Sequence, residues 1–306
     1  MREVCRGLGF PEGPIAMDDG SVVLVEIQAG TLTRVRPDGT REVVADCGGG
    51  PNGAALGPDG RVYVCNNGGF VWIEDGPFLR AGDVPPDDYR GGSIQAVDLE
   101  TGSVETLYTA CDGEPLKGPN DIVFDAEGGF YFTDLGRRRG RRMDRGAVYY
   151  ALPDGGGISE IVFPIDTPNG IGLSADEKTL YVAETAGARL WAWDVEAPGR
   201  LGAAPHPLFP GRLHYRCAGY ERLDSLALDS EGNVCVATLG TGCVTAISPK
   251  GRVRAVVPVP EFDLMVTNIC FGGPDLRTAY ITSSGLGILY QMDWHCPGQP
   301  LNFLNR

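Results

Sequence analysis

Phe10-Pro11-Glu12-Gly13-Pro14 leads through Ile15-Ala16-Met17 and the turn Asp18-Asp19-Gly20-Ser21 into Val22-Val23-Leu24-Val25. An acidic residue stands between Pro and Gly, just ahead of two short apolar runs separated by a turn. The same order returns five more times, with Asn or Asp where Glu12 stands: Pro51-Asn52-Gly53, Pro119-Asn120-Asp121, Pro168-Asn169-Gly170, Leu223-Asp224-Ser225 and Thr267-Asn268-Ile269. Each continues with an apolar run, a turn and a β-rich run, as in Gly57-Pro58-Asp59-Gly60 before Val62-Tyr63-Val64-Cys65. Short runs joined by tight turns are hairpins. No stretch sustains a helical period.

The steps from residue 12 to 52, 120, 169, 224 and 268 are 40, 68, 49, 55 and 44 residues. Repeats of about 40 to 50 residues match the four-stranded blades of a propeller. One such unit cannot bury its own apolar face, so the units must fold together. The expectation is an all-β chain, a six-bladed β-propeller with four-stranded blades, forming a single domain over residues 1–306. Its N-terminal strand would close the ring against the last blade, around Ile288 to Asp293. The long step marks an insertion, roughly 74–92, rich in Pro and Asp and carrying Phe78 and Tyr89. Loops of this length in compact domains are functional or disordered, and the aromatics make this one a candidate lid or substrate wall. A second irregular stretch, 205–222, is a candidate for another part of the rim; its His214 reads first as a surface or structural residue, and of the three histidines it is the one best placed to visit the site.

A chain of 306 residues can bury a large core, and 42% apolar residues beside Gly 45 and Pro 23 describe a turn-rich globular protein. A formal charge of −14 argues against nucleic acid as a partner. The start has no apolar leader and no 18-residue apolar span occurs, so no membrane partner is expected. Nine cysteines form an odd set without CxxC spacing. Cys65, Cys235 and Cys270 fall inside apolar runs, as small buried hydrophobes do. The chain therefore reads as reduced and cytoplasmic. Arg137-Arg138-Arg139-Gly140-Arg141-Arg142 reads as a solvated charge run.

The innermost strands of a propeller line a central channel, so residues at one repeated strand position meet near the axis. Here those are Glu12, Asn52, Asn120, Asn169, Asp224 and Asn268. Two carboxylates and four carboxamides, without Cys or His, make a hard oxygen site. Such a set suits Ca²⁺, with Mg²⁺ or Mn²⁺ next and Zn²⁺ less natural. Turn formation alone would explain one Asn or Asp at a strand entry, but not six in register. Asp121 follows Asn120 and by strand alternation falls on the opposite face, a structural position. His206, His214 and His295 lie outside the repeated frames and lack ligand spacing. No serine has a nucleophile-elbow context.

Taken together, the Pro-Glu-Gly-Pro, Pro-Asn-Asp, Pro-Asn-Gly and Asp-Ser segments resemble the senescence marker protein–gluconolactonase family of six-bladed propellers. That family includes luciferin-regenerating-enzyme-like members and is related to diisopropylfluorophosphatase. The resemblance implies one divalent metal held by Glu12, Asn169 and Asp224, with Asn120 as a further ligand or a substrate contact. Asn52 and Asn268 are the remaining candidates for touching substrate. It also implies hydrolysis of a small lactone, or alternatively of a phosphotriester or phosphofluoridate at the same site; a non-catalytic ligand-binding propeller is the reading from outside enzymology. The metal would polarise the lactone carbonyl, with Asp224 as base or nucleophile. Two departures stand out. Sugar-lactone hydrolases of the family carry Arg where this chain has Gly118, which implies a lactone other than gluconolactone. The relatives with a second calcium use an Asp and a His where this chain has Ala227 and Cys270, which implies one metal.

Overall fold

Residues 1–306 are all described in the computed structural model, and they form strands, turns and no helix. Six antiparallel sheets, each built on four strands, follow one another around a ring. The innermost strands are Pro11–Ala16, Pro51–Leu56, Pro119–Phe124, Pro168–Leu173, Arg222–Leu228 and Val266–Gly272. Each touches the next around the axis, and the first touches the last. The chain's first strand, Arg2–Arg6, pairs with Ile288–Asp293 and supplies the outer strand of the sixth sheet. The fold is the six-bladed propeller that the repeat spacing predicts.

The turns of the six inner hairpins share one device. The Oδ1 of Asp19, Asp59, Asp125, Asp176, Asp229 and Asp275 accepts the backbone N–H two residues on, at 2.9 to 3.1 Å. This is why the same Asp recurs ahead of every second strand: its side chain replaces a backbone partner in the turn. The second strands, such as Val22–Glu26, Val62–Asn66 and Phe130–Asp134, are buried throughout. Outer strands such as Val253–Pro258 alternate between exposed and half-buried residues.

The core lies between blades. Six apolar clusters fill the six gaps; Tyr63 and Cys65 of the second blade meet Phe130 and Phe132 of the third in one of them. In the closing gap, Cys5 and Leu289 of the last blade pack with Leu24 and Val35 of the first. Burial of this apolar area is what holds the ring shut, since hydrophobic stabilisation scales with area removed from water.

Two excursions gather at the mouth where the inner strands begin. Within the insertion, Trp72–Asp75 pairs with Phe78–Ala81. Phe78 packs edge-on against Phe262 with centroids 6.4 Å apart, and the Leu79 N–H donates to Gly285 O at 2.8 Å. The hairpin thus reaches from the second blade to the sixth. A smaller hairpin, Arg138–Arg139 with Arg142–Met143, leans toward it through an Arg138–Asp83 ion pair at 2.7 Å.

The opposite end of the channel is covered by the C-terminal tail. Gln299 Nε2 donates to Leu173 O at 2.9 Å and Asn302 Nδ2 to Phe124 O at 3.1 Å. Beneath them lies an apolar cavity of about 100 Å³ lined by Ile15, Phe124, Leu226 and Leu304 among others. The stretch 205–222 differs from expectation. Arg212–Arg216 is the outer strand of the fourth blade, and His214 Nε2 bonds Ser248 O at 3.0 Å while its ring packs on Tyr181. His214 is therefore a structural residue on the outside of the propeller.

Candidate functional site

Every inner strand shifts register near its entry: after Glu12, Pro51, Pro119, Pro168, Leu223 and Val266. A bulge suspends strand alternation and re-aims side chains. Two successive residues per strand consequently reach the axis. Glu12, Asn52, Asn120, Asn169 and Asp224 form one buried level. Asp121, Ser225 and Asn268, one residue further on, make contacts into the same ring. Where the following residue is Gly, crowding explains it. A Cβ on Gly53 would lie 2.4 Å from Asn120 O and 2.5 Å from Asp121 Cα, and one on Gly170 would lie 2.6 Å from Asp224 O.

The sixth segment sits one step away from its expected frame. Val266 pairs with Ser283 in the place that Pro11, Pro51, Pro119 and Pro168 take in their own hairpins. Thr267 is therefore level with Glu12, and Asn268 is level with Asp121. Without a proline the sequence had no anchor for this register. Asn268 still reaches the ring, because its Nδ2 donates to Glu12 Oε2 at 2.7 Å.

The same Glu12 oxygen accepts the Gly13 N–H at 2.7 Å. Asn169 Oδ1 accepts Ser225 Oγ at 3.4 Å, and the Asn169 amide favours the charged form of Asp224, against burial. Asn52 is buried in the ring between the Glu12 and Asn120 strands. Burial raises the Glu12 carboxyl above its ordinary range. Burial and then the Glu12 charge push Asp224 well above its own, and the same two causes push Asp121 up to about 7. No Lys or Arg offsets any of the three. Asp121 is thus part of the electrostatics of the axis and not a residue of the opposite face; the bulge is what brings it there.

Three carboxylates buried around one axis are costly unless a positive charge joins them. Asn120 adds an oxygen, Oδ1, that is buried with no partner. Carboxylates at Glu12 and Asp224 with amide oxygens at Asn120 and Asn169 fit a hard divalent cation by donor chemistry. Asp229, His295 and Cys296 bring their ligand atoms within 4.8 Å of one another elsewhere, at the periphery. Ala227 and Cys270 pack into apolar clusters.

Above this ring opens a cleft of about 340 Å³ whose lining includes Asn67, Gly118, Asn120, Arg137, Thr167 and Arg222. Gly118 cannot carry a side chain in this backbone, since a Cβ would lie 2.7 Å from Gly136 O. Arg137 overturns the expectation of a uniformly solvated run. It is 4% exposed, sandwiched between the rings of Phe70 and Tyr89 at 4.7 and 4.8 Å, and it donates to Asn67 O at 3.3 Å and to Gly69 O. Arg138, Arg139, Arg141 and Arg142 are exposed as expected. Asn67 has no sequence signature of the cleft, because Asn66-Asn67-Gly68-Gly69 reads only as a turn.

A family model described as the SMP-30/gluconolactonase/LRE-like region matches residues 10–285. The lactonase drp35 of Staphylococcus saprophyticus is 32% identical over 247 residues, covering 80% of this chain and 68% of that protein. Its Staphylococcus aureus counterpart is 31% identical with the same coverage. Among solved structures, a gluconolactonase from Xanthomonas campestris superposes with a TM-score of 0.74 at 22% identity, covering 95% of this chain and 88% of that one. The calcium-binding protein regucalcin from Agrobacterium tumefaciens gives 0.74 at 17% identity, with 99% and 98% coverage. At such identities the structural likeness speaks for the fold alone. On the family match and the sequence relatives, the chain belongs to the SMP-30/gluconolactonase/LRE-like family.

Proposed function

We propose that this protein is a metal-dependent hydrolase that opens the ring of a small lactone. The observation that carries the reading is the set of buried carboxylates at Glu12, Asp224 and Asp121, without a basic partner, beneath a cleft that Asn120 lines. The lactonase names of the sequence relatives support the reaction class. The calcium-binding neighbour supports calcium as the first metal to test, ahead of magnesium, manganese or zinc.

Glu12, Asn120, Asn169 and Asp224 would hold the cation, which supplies a Lewis acid for the lactone carbonyl. The remaining chemistry belongs to the chain. Asp224 accepts a proton from the attacking water at a carboxylate oxygen; as an alternative, that oxygen attacks the carbonyl carbon directly, and water then hydrolyses the resulting Asp224 acyl anhydride to free the acid and restore the carboxylate. Burial and the Glu12 charge both raise its basicity, which opposes the acidifying pull of a bound cation. The ring C–O bond breaks, its oxygen takes a proton, and a hydroxy acid leaves. Asn120 orients the substrate, and Asn52 and Asn268 shape the ring around it. Asn268 also holds Glu12 in place through its amide. The insertion at 74–92 walls the cleft with Ala81, Gly82 and Val84 and serves as its lid. Nine free cysteines, eight of them buried, suit the reducing cytoplasm.

A panel of five- and six-membered lactones, followed by acid release with a pH indicator, tests the reaction. Turnover of at least one lactone is expected, falling at least a hundredfold in chelator and returning with added calcium. Turnover that survives complete metal removal would reject the metal mechanism. Turnover of a phosphotriester alone would move the substrate class.

A further inference from the structure

The wall of the cleft is the reverse of its floor. At the floor, Asn120 presents a buried oxygen without a partner. Around the wall stand donors. Asn67 is 3% exposed, and its Oδ1 accepts the Gly69 N–H at 2.9 Å. That bond fixes the amide orientation and leaves Nδ2, a donor, buried with no partner. Arg137 is nearly as buried, and no carboxylate lies within ion-pair distance of it. The two backbone carbonyls it meets accept hydrogen bonds but do not neutralise its charge. Arg222, at the rim two residues before Asp224, has no acidic partner either. The acidic side chain in this lining, Asp83, is already paired with Arg138 at 2.7 Å.

A buried guanidinium and a buried amide donor, both without an acceptor of opposite charge, are costly to keep in a folded protein. The cost is relieved when a ligand brings an anion to them. We propose that the cleft takes lactones whose ring bears a carboxylate, seated on Arg137, Arg222 and Asn67 Nδ2 while the lactone carbonyl faces Asn120 and the axis. This rests on the lactonase reading for the ring but not for the anion. Guanidinium groups suit a planar carboxylate because their N–H donors match its two oxygens.

Two measurements on the calcium-loaded full chain test this independently. In the first, kcat/KM is compared for 5-oxotetrahydrofuran-2-carboxylate and its carboxamide, which differ in charge and little in shape. The carboxylate is expected to lead by tenfold or more, with a lead that shrinks as salt is raised. In Asn67→Asp, which keeps the bond to Gly69 and turns the free donor into an acceptor, the ratio is expected to fall to about one or below. Arg222→Gln, at an exposed position, is expected to lower it severalfold. In the second, tetrahydrofuran-2-carboxylate and its carboxamide are titrated by calorimetry, with the same order expected and the same losses in the variants. Equal binding of the two probes overturns the anion site. So does a carboxylate preference that stays intact in both variants, because the axial cation would then be its source. Carboxylate binding that depends on Asn67 and Arg222, without turnover of any lactone, would retain the anion site and reject the lactonase reading.

Discussion

Asp224→Asn is expected to lower kcat/KM by about a thousandfold or more for every lactone the protein opens, roughly 4 kcal/mol of transition-state stabilisation. The substitution keeps the shape of the side chain and the contact with Asn169, and removes the charge. It therefore removes the proposed base and one of two anionic ligands at once. The fold should survive it. Burial and the Glu12 charge both disfavour an ionised Asp224, so deleting the charge relieves repulsion in the metal-free protein. The melting temperature in chelator should accordingly equal or exceed that of the parent chain, while the rise on adding calcium should be lost. Turnover within tenfold of the parent would remove Asp224 from the chemistry.

Gly53→Ala is expected to destabilise the propeller by about 3 kcal/mol, a large effect for one methyl group. The second and third inner strands meet at this residue. A Cβ there would sit 2.4 Å from Asn120 O and 2.5 Å from Asp121 Cα, both backbone atoms that no rotamer change can move aside. The strands must part, which opens a blade gap and displaces Asn120 from the axis. Displacements on the order of 1 Å at a reacting centre cost about a hundredfold in rate, so activity should fall further than stability. Gly157→Ala is the control. Its nearest new neighbour would be Leu152 Cδ1 at 3.7 Å, an ordinary contact, and a loss under about 1 kcal/mol is expected. Equal urea midpoints for the two variants would contradict the crowding at the axis.

The parts of this architecture that the sequence reveals are those built by local chemistry. Pro followed by a polar residue and Gly encodes a strand entry with a bulge. Asp ahead of each second strand encodes the turn it caps. Pro-polar-Gly stands at three of the six entries, Pro-Asn-Asp at a fourth and the Asp turn at all six, and together they carry the blade count, the axis and five of the six axial residues in register. The misreadings have equally physical causes. Strand alternation puts Asp121 on the far face, and the bulge between Pro119 and Ile122 suspends that alternation. Asn268 lies one residue past the expected frame, because the sixth entry has no proline to mark it. Arg137 looked like one of a solvated run because the rings that enclose it, Phe70 and Tyr89, come from another blade and its insertion. Asn67 gave no signal, since its role depends on a donor left over after the turn is satisfied. The tail that covers the far end of the channel carries no pattern at all; only Leu301, Leu304 and the two amide contacts, seen in place, reveal it.

Calorimetric titration of the chelator-stripped protein with calcium, on the parent chain and on Glu12→Gln, tests the axial site most directly. Glu12→Gln keeps an oxygen for Gly13 and Asn268 to approach and deletes one charge. The parent chain should bind one ion per molecule, and the variant should bind it at least a hundredfold more weakly, about 2.7 kcal/mol. Undiminished binding in Glu12→Gln, or no binding of calcium, magnesium, manganese or zinc by the parent chain, would contradict a cation held at the axis.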